Sequence, residues 1–191
     1  MPSIITHAFV GVVAVAAFAP KETPKSIWAL APLLSMLPDL DVLAFRFGIP
    51  YGHLFGHRGF FHALFFALLL SLALVALFPK KMPVFSRQWI WGLMLLGIII
   101  ASHGLLDALT NGGKGIALLA PFDQTRYFFP WTPIKVAPLS VKAFFGPWGW
   151  TVLKSEWLWV WLPMLGLLLM RMTVSLVRRI LHSRVSADGR G

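Results

Sequence analysis

The chain has 191 residues, 58% of them hydrophobic, with a mean hydropathy of +0.75. So apolar a composition excludes a soluble domain of this length and points to a helical integral membrane protein, and the alternating ten-residue segments of an outer-membrane barrel are absent. The formal charge of +10 does not make nucleic acid an expected partner, because the basic residues gather in short loops and the tail, where they orient a chain against a lipid bilayer; the lack of cysteine removes disulfides and thiolate ligands.

Taken in order, Met1-Pro2-Ser3-Ile4 lacks the basic region of a secretory signal, and Pro20 follows the one Ala-Phe-Ala site, so the first apolar segment is expected to stay as a helix. Five segments carry the hydrophobicity: Ile4–Ala19, Ile27–Phe47, Phe60–Phe78, Trp89–Leu109 and Trp157–Val177. The middle three match the ~20 residues that cross a ~30 Å hydrocarbon core. The first is short, at ~24 Å if fully helical. Pro32 and Pro38 should kink or end the second near Asp39. These features predict an all-α, polytopic membrane bundle of four to five transmembrane helices in one domain spanning 1–191. It would carry a long outer interfacial loop at 109–156 and a basic cytoplasmic tail at 178–191.

Orientation follows from the basic loops. Lys21 and Lys25 follow segment one, Lys80, Lys81 and Arg87 follow segment three, and Arg178, Arg179 and Arg184 lie in the tail. If all five segments span, these fall on one side, which the positive-inside rule makes cytoplasmic. Trp28, Trp89 and Trp91 then mark the inner boundary, and Trp148, Trp150, Trp157 and Trp159 the outer one. Lys114, Arg126, Lys135, Lys142 and Lys154, in the outer loop, run against the bias.

This topology gives the polar residues a depth. His7 lies in the first turns of segment one, Asp39 and Asp41 toward the end of segment two, and His53, His57, Arg58 and His62 at the start of segment three. His103 and Asp107 close segment four. Five of the six histidines and three of the seven acids therefore converge at the outer face, although none was used to set the topology. His103 and Asp107, four apart, project from one helix face. Gly59 suggests that the third helix starts after Arg58, leaving His57 on the loop and free to turn inward. Asp39 and Asp41 can converge on a non-helical turn after Pro38. Imidazole with carboxylate and no thiolate suits zinc, or another first-row divalent ion such as manganese.

An unpaired Asp at a helix centre costs roughly 2.5–3.5 kcal/mol on insertion scales, so three cost on the order of 8–10 kcal/mol and demand cations. Arg46 and Arg58 could neutralise two of them without metal, but that leaves the five histidines unexplained. Arg58 itself reads equally as a partner of Asp39 or as a phosphate-binding group. His53, in a Gly-flanked loop, is expected to be solvated, and His182 to contact lipid headgroups. Asn111-Gly112-Gly113-Lys114-Gly115 lacks the spacing and the preceding strand of a phosphate loop, and reads as a turn.

Thr6-His7 with Gly11, Pro38-Asp39-Leu40-Asp41, His57-Arg58-Gly59-x-x-His62, His103-x-x-Leu106-Asp107-x-Leu109-Thr110 and Pro121-Phe122 stand in the order found in the YdjM-like family, which this chain resembles over roughly residues 1–140. Its members are bacterial and archaeal inner-membrane proteins proposed to be metal-dependent hydrolases, some under control of the SOS repressor LexA. The chain departs from the family at Ala63 and Asp123, where serine is usual. The family is in turn similar to the zinc-dependent phospholipase C and single-strand nuclease superfamily, all-helical enzymes that cleave phosphodiesters with clustered His and Asp. That resemblance implies His7, Asp39, His57, His62, His103 and Asp107 as metal ligands. The superfamily's later His-rich stretch is missing, so one or two ions are expected.

The expected function is a membrane-embedded metal-dependent hydrolase at the outer face of the cytoplasmic membrane, acting on a phospholipid-like substrate. Asp41 would be general base and Arg58 would bind phosphate. The loop bearing Pro121, Phe122, Tyr127, Phe128, Phe129 and Trp131 would lie on the bilayer and admit lipid. The alternatives are an ion or proton pathway, which should place polar residues at several depths, and a non-catalytic metal-stabilised scaffold serving envelope stress, in which closed coordination leaves no open position.

Overall fold

The computed structural model describes residues 1–20, 23–77 and 83–188, with side chains as far as Leu181. Lys21, Phe78, Lys80 and Lys81, together with the side chains of His182 and Arg184 and the last three residues, lie outside the described residues.

Helix α1 (Ile4–Phe18) starts at Ser3, whose hydroxyl accepts from the Thr6 amide. Helix α2 (Lys25–Met36) passes through Pro32 and tightens at Leu37 into a 3-10 segment, Leu37–Phe47, with Pro38 in its first turn. A loop leads to a single 3-10 turn, Phe60–His62. Ala63 then breaks the chain with extended backbone before α3 (Leu64–Ala76). Helix α4 (Arg87–Ala108) is capped by Ser86. An irregular segment with two isolated bridges, Thr110 to Ile134 and Ile116 to Tyr127, leads to the short α5 (Val141–Phe144). Helix α6 (Pro147–Glu156) continues through a wide π turn, Trp157–Trp161, into α7 (Leu162–Asp188).

The all-helical class is therefore as expected, but the element bounds differ. Among the described residues, three helices are long and apolar enough to cross a membrane: Lys25–Phe47, Arg87–Ala108 and Pro147–Leu181. The first segment has 15 helical residues and the third 13, because the backbone break at Ala63 separates the Phe60–His62 turn from the helix. The last span begins ten residues before Trp157, at Pro147, whose fixed φ suits a first helical turn.

Helices α1 to α4 pack around an apolar interior of Val15, Ala31, Leu34, Ala67, Val75, Leu96, Ile99 and Ile100. Consecutive helices alternate in direction. One end of the bundle therefore collects the start of α1, the end of α2 with its 3-10 extension, the turn before α3 and the end of α4. Lys25, Arg87, Arg178 and Arg179 lie toward the opposite end.

Candidate metal centre

The common end holds the buried polar residues. His7, His103 and Asp107 have no exposed surface, and Asp39, Asp41, His57, Arg58 and His62 are also buried. Each arrives by a local device. Asp39 and Asp41 share the 3-10 segment, whose tighter turn brings both carboxylates to His62: Asp39 Oδ1 lies 3.7 Å from Nε2, and Asp41 Oδ2 lies 3.1 Å from Nδ1. His62 lies opposite Gly104 of α4, where a Cβ would stand 2.2 Å from the His62 carbonyl oxygen, so only glycine admits the turn. His103 and Asp107 face the same space from α4, as their spacing predicts.

Four groups form the centre. One atom each of Asp39, His62, His103 and Asp107 lies within 4.8 Å of all the others. His62 Nε2 and His103 Nε2 face each other at 3.1 Å, His103 Nε2 is 3.3 Å from Asp39 Oδ1, and His62 Nε2 is 3.6 Å from Asp107 Oδ2. Two ligands at about 2.0–2.1 Å from one tetrahedral ion stand roughly 3.3 Å apart, so these separations suit a shared divalent cation. The proton positions agree. His103 Nδ1 donates to the Ser35 carbonyl at 2.7 Å, which turns Nε2 toward the centre. Both oxygens of Asp39, both of Asp107 and both nitrogens of His7 are buried without a hydrogen-bond partner among the described residues. Buried polar atoms rarely stay unpaired, and an ion at this point would engage the two carboxylates. A divalent metal therefore fits the residues present.

His7 stands at the edge of this group. Its ring stacks on His103 at 3.7 Å, and its Nε2 is 3.4 Å from the second Asp107 oxygen. His57 lies on the far side of Asp41. It forms with Asp41 and His62 a second set of potential ligands, in which His57 Nδ1 and Asp41 Oδ1 are hydrogen-bonded at 2.6 Å. Asp41 also accepts from the Arg58 amide at 3.0 Å. Its oxygens are thus turned toward protein groups.

Arg58 has a positive φ of 63°, a conformation uncommon outside glycine, which turns its side chain inward. Its Nε lies 3.1 Å from Asp107 Oδ2, while Nη1 donates to the Gly112 carbonyl at 2.7 Å and Nη2 to the Thr110 hydroxyl at 3.3 Å. Its carboxylate partner is therefore Asp107 and not Asp39. Burial lowers the guanidinium's pKa, and the adjacent Asp107 opposes that shift. The Asn111–Gly115 turn wraps the guanidinium: Gly113 has φ +95°, and a Cβ there would stand 2.3 Å from Arg58 Nη1. Gly59 is likewise required by close approach, since its Cβ would lie 2.2 Å from the Leu54 carbonyl oxygen. Arg46 is exposed and joins none of the site's ion pairs, and His53 is exposed with Nδ1 accepting from the Phe55 amide.

Several contributors were not evident in the sequence. Arg126, one of the outer-loop cations, donates to the carbonyls of His57 at 3.1 Å, Arg58 at 3.2 Å and Tyr51 at 2.8 Å, and so fastens the loop over the site. It also stacks on Tyr51, whose phenol is raised above its ordinary pKa by burial. Glu156 is fully buried against Ser3 and Thr6. Its only sequence signal is an acid directly before the aromatic run Trp157 to Trp161.

Comparison with known proteins agrees with this picture. The chain is 42% identical over 173 residues to Inner membrane protein YbcI of Escherichia coli (strain K12), covering 90% of this chain and 96% of that one. No solved structure matches. A family model described as YdjM inner membrane protein matches residues 1–178, across every helix that supplies the His and Asp cluster, and the chain belongs to that family.

Proposed function

We propose that this inner membrane protein is a metal-dependent hydrolase whose divalent ion, zinc foremost and manganese second, is held by Asp39, His62, His103 and Asp107. The observation that carries the reading is the facing pair of imidazole nitrogens at 3.1 Å, flanked by buried carboxylate oxygens that accept no hydrogen bond among the described residues. A bound ion of this class supplies a water acidic enough to ionise near neutral pH and a Lewis acid for a phosphoryl oxygen.

The protein's own residues have separable roles in this reading. His103 is held by Ser35 in the tautomer that offers Nε2, and Asp41 sets the ring of His62 from the opposite side. Asp41 is thereby an orienting carboxylate rather than a free general base. Arg58 is the counter-charge of Asp107 rather than a substrate clamp, since its guanidinium faces Asp107, Thr110 and Gly112. His7 is a fifth ligand or a stacking support for His103, and His57 a partner of Asp41. Substrate would reach the centre past Asp39, whose side chain, at 7% exposure, is the most open of the four ligating groups. The neighbouring Leu40, Leu43 and Phe47 are exposed, which favours a lipid-borne phosphoester as substrate. Basic residues at the opposite end of the bundle support a site facing outward and a tail facing the cytoplasm.

Burial favours a second reading, a non-catalytic metal-stabilised scaffold, because His7, His103 and Asp107 are wholly enclosed. An ion pathway is disfavoured. Among the described residues, the buried side chains of the bundle beyond Ser35 are apolar except Ser71, whose hydroxyl donates to the Leu68 carbonyl. The deciding experiment measures release of headgroup or phosphate from a phospholipid panel by metal-loaded protein and by His62→Ala. Metal-dependent turnover lost in the variant supports the hydrolase, and stoichiometric metal with no turnover supports the scaffold.

A further inference from the structure

The continuous helical run from α6 through the π turn into α7 supplies no candidate ligand, yet it carries two charges that match α1. Glu156 and Arg171 are fifteen residues apart in sequence, and α1 is 15 residues long. At the start of α1, Glu156 accepts from the Ser3 amide, from the Ser3 hydroxyl at 2.7 Å and from the Thr6 hydroxyl at 2.8 Å. Trp161 of the same helical run donates to the Thr6 hydroxyl at 2.7 Å, and its ring stacks on Phe9. At the far end, Arg171 donates to the carbonyl of Ala19, the C-cap of α1, at 3.1 Å. A carboxylate thus meets the positive end of the helix dipole and a guanidinium the negative end. Each also satisfies terminal backbone groups that would otherwise be unpaired in an apolar surrounding.

The grip bears on the centre through one short link. The Ser3 carbonyl accepts the His7 amide at 3.2 Å, so the residue that Glu156 holds also sets the register of His7. We propose that Glu156 is a positioning residue, and with Arg171 it clamps α1 so that His7 stays stacked on His103 and against Asp107. The proposal rests on the metal reading above.

It is tested on the full-length protein in detergent, with cobalt(II) as the probe ion. Affinity is read by chelator competition and ligand geometry by the visible absorption of the bound ion. Glu156→Ala should weaken cobalt(II) binding about tenfold, the lower end expected for a residue behind the ligands, and shift the absorption as His7→Ala does. The double variant should bind no more weakly than His7→Ala alone, the non-additivity of residues acting through one path. Glu156→Gln keeps the shape and two of the contacts. It should fold even where the alanine variant does not, and show a smaller shift in the same direction. A lowered melting temperature with unchanged affinity and absorption in both Glu156 variants would overturn the proposal and leave a merely structural clamp. So would additive effects in the double variant. Wild-type protein that takes up no cobalt(II) would instead defeat the metal reading, and the proposal with it.

Discussion

Removing divalent ions should lower the thermal stability of the wild-type protein markedly. Without an ion, the centre holds Asp39 and Asp107 with four carboxylate oxygens that lack hydrogen bonds, and among the described residues Arg58 is the one permanent cation paired with them. A single ion at a thousand times its dissociation constant stabilises the folded state by ~4.1 kcal/mol. For a chain of 150–250 residues, each kcal/mol moves the midpoint by roughly 2–4 °C, so the shift should be ~8–16 °C. Intrinsic fluorescence of the nine tryptophans reports the transition in detergent without added dye. Protein stripped with chelator should melt early, recover with zinc or manganese, and fail to recover with magnesium, which prefers oxygen ligands and retained waters. His103→Ala should melt early and be insensitive to every ion. Agreement of the stripped and zinc-loaded midpoints to within about 2 °C in the wild type would refute the metal assignment, since an ion bridging buried carboxylates cannot be thermally silent.

Three further outcomes test the surroundings of the centre. Asp41→Asn should fold but bind zinc about ten- to a hundredfold more weakly, measured by chelator competition, because His62 loses the charge that orients it. Arg58→Met should destabilise the metal-free protein by about 3–5 kcal/mol, read by thermal or denaturant unfolding, since Asp107 loses its buried cation. Arg58→Lys should recover less than half of that, because an ammonium cannot reproduce the fork to Gly112 and Thr110. Gly113→Ala should cost more than ~1 kcal/mol in the same assay, as φ is +95° and the new methyl meets Arg58.

The convergence at one end of the bundle was legible because it depends only on alternation. Successive apolar segments reverse direction, and His7, Asp39, His62, His103 and Asp107 each lie near the terminus that alternation brings together. The pair His103 and Asp107 was legible in finer detail, since helical spacing fixes their common face. The identity of each partner was not. Arg58 meets Asp107 rather than Asp39 because a left-handed residue and a glycine-rich turn redirect it, and irregular backbone has no period to read. Arg126 was masked in the same way: its role depends on the fold of the 109–146 segment back over Tyr51 and His57. Glu156 escaped for a different reason. The apolar segment was bounded at Trp157, whereas Pro147 starts the helix, so a buried acid inside a span looked like a loop residue outside one.

The charges of the centre set how far proton binding alone could replace a metal. Asp39, Asp41 and Asp107 bring three negative charges, and Arg58 returns one. Neutralising the remaining two with protons would take two protonated groups among the imidazoles and carboxyls. At the centre itself the Nε2 atoms of His62 and His103 face each other at 3.1 Å, and two N–H groups cannot point into that gap. One N–H could fit there, leaving the second imidazole as its acceptor and the Asp39 carboxylate with no hydrogen bond. A divalent cation held by His62, His103, Asp39 and Asp107 would remove the conflict and would offset the two excess charges. Binding should therefore weaken as pH falls, because protons compete for the ligand atoms that a metal would take. Chelator competition at successive pH values would read this, and affinity independent of pH between about 5 and 7 would contradict imidazole ligation.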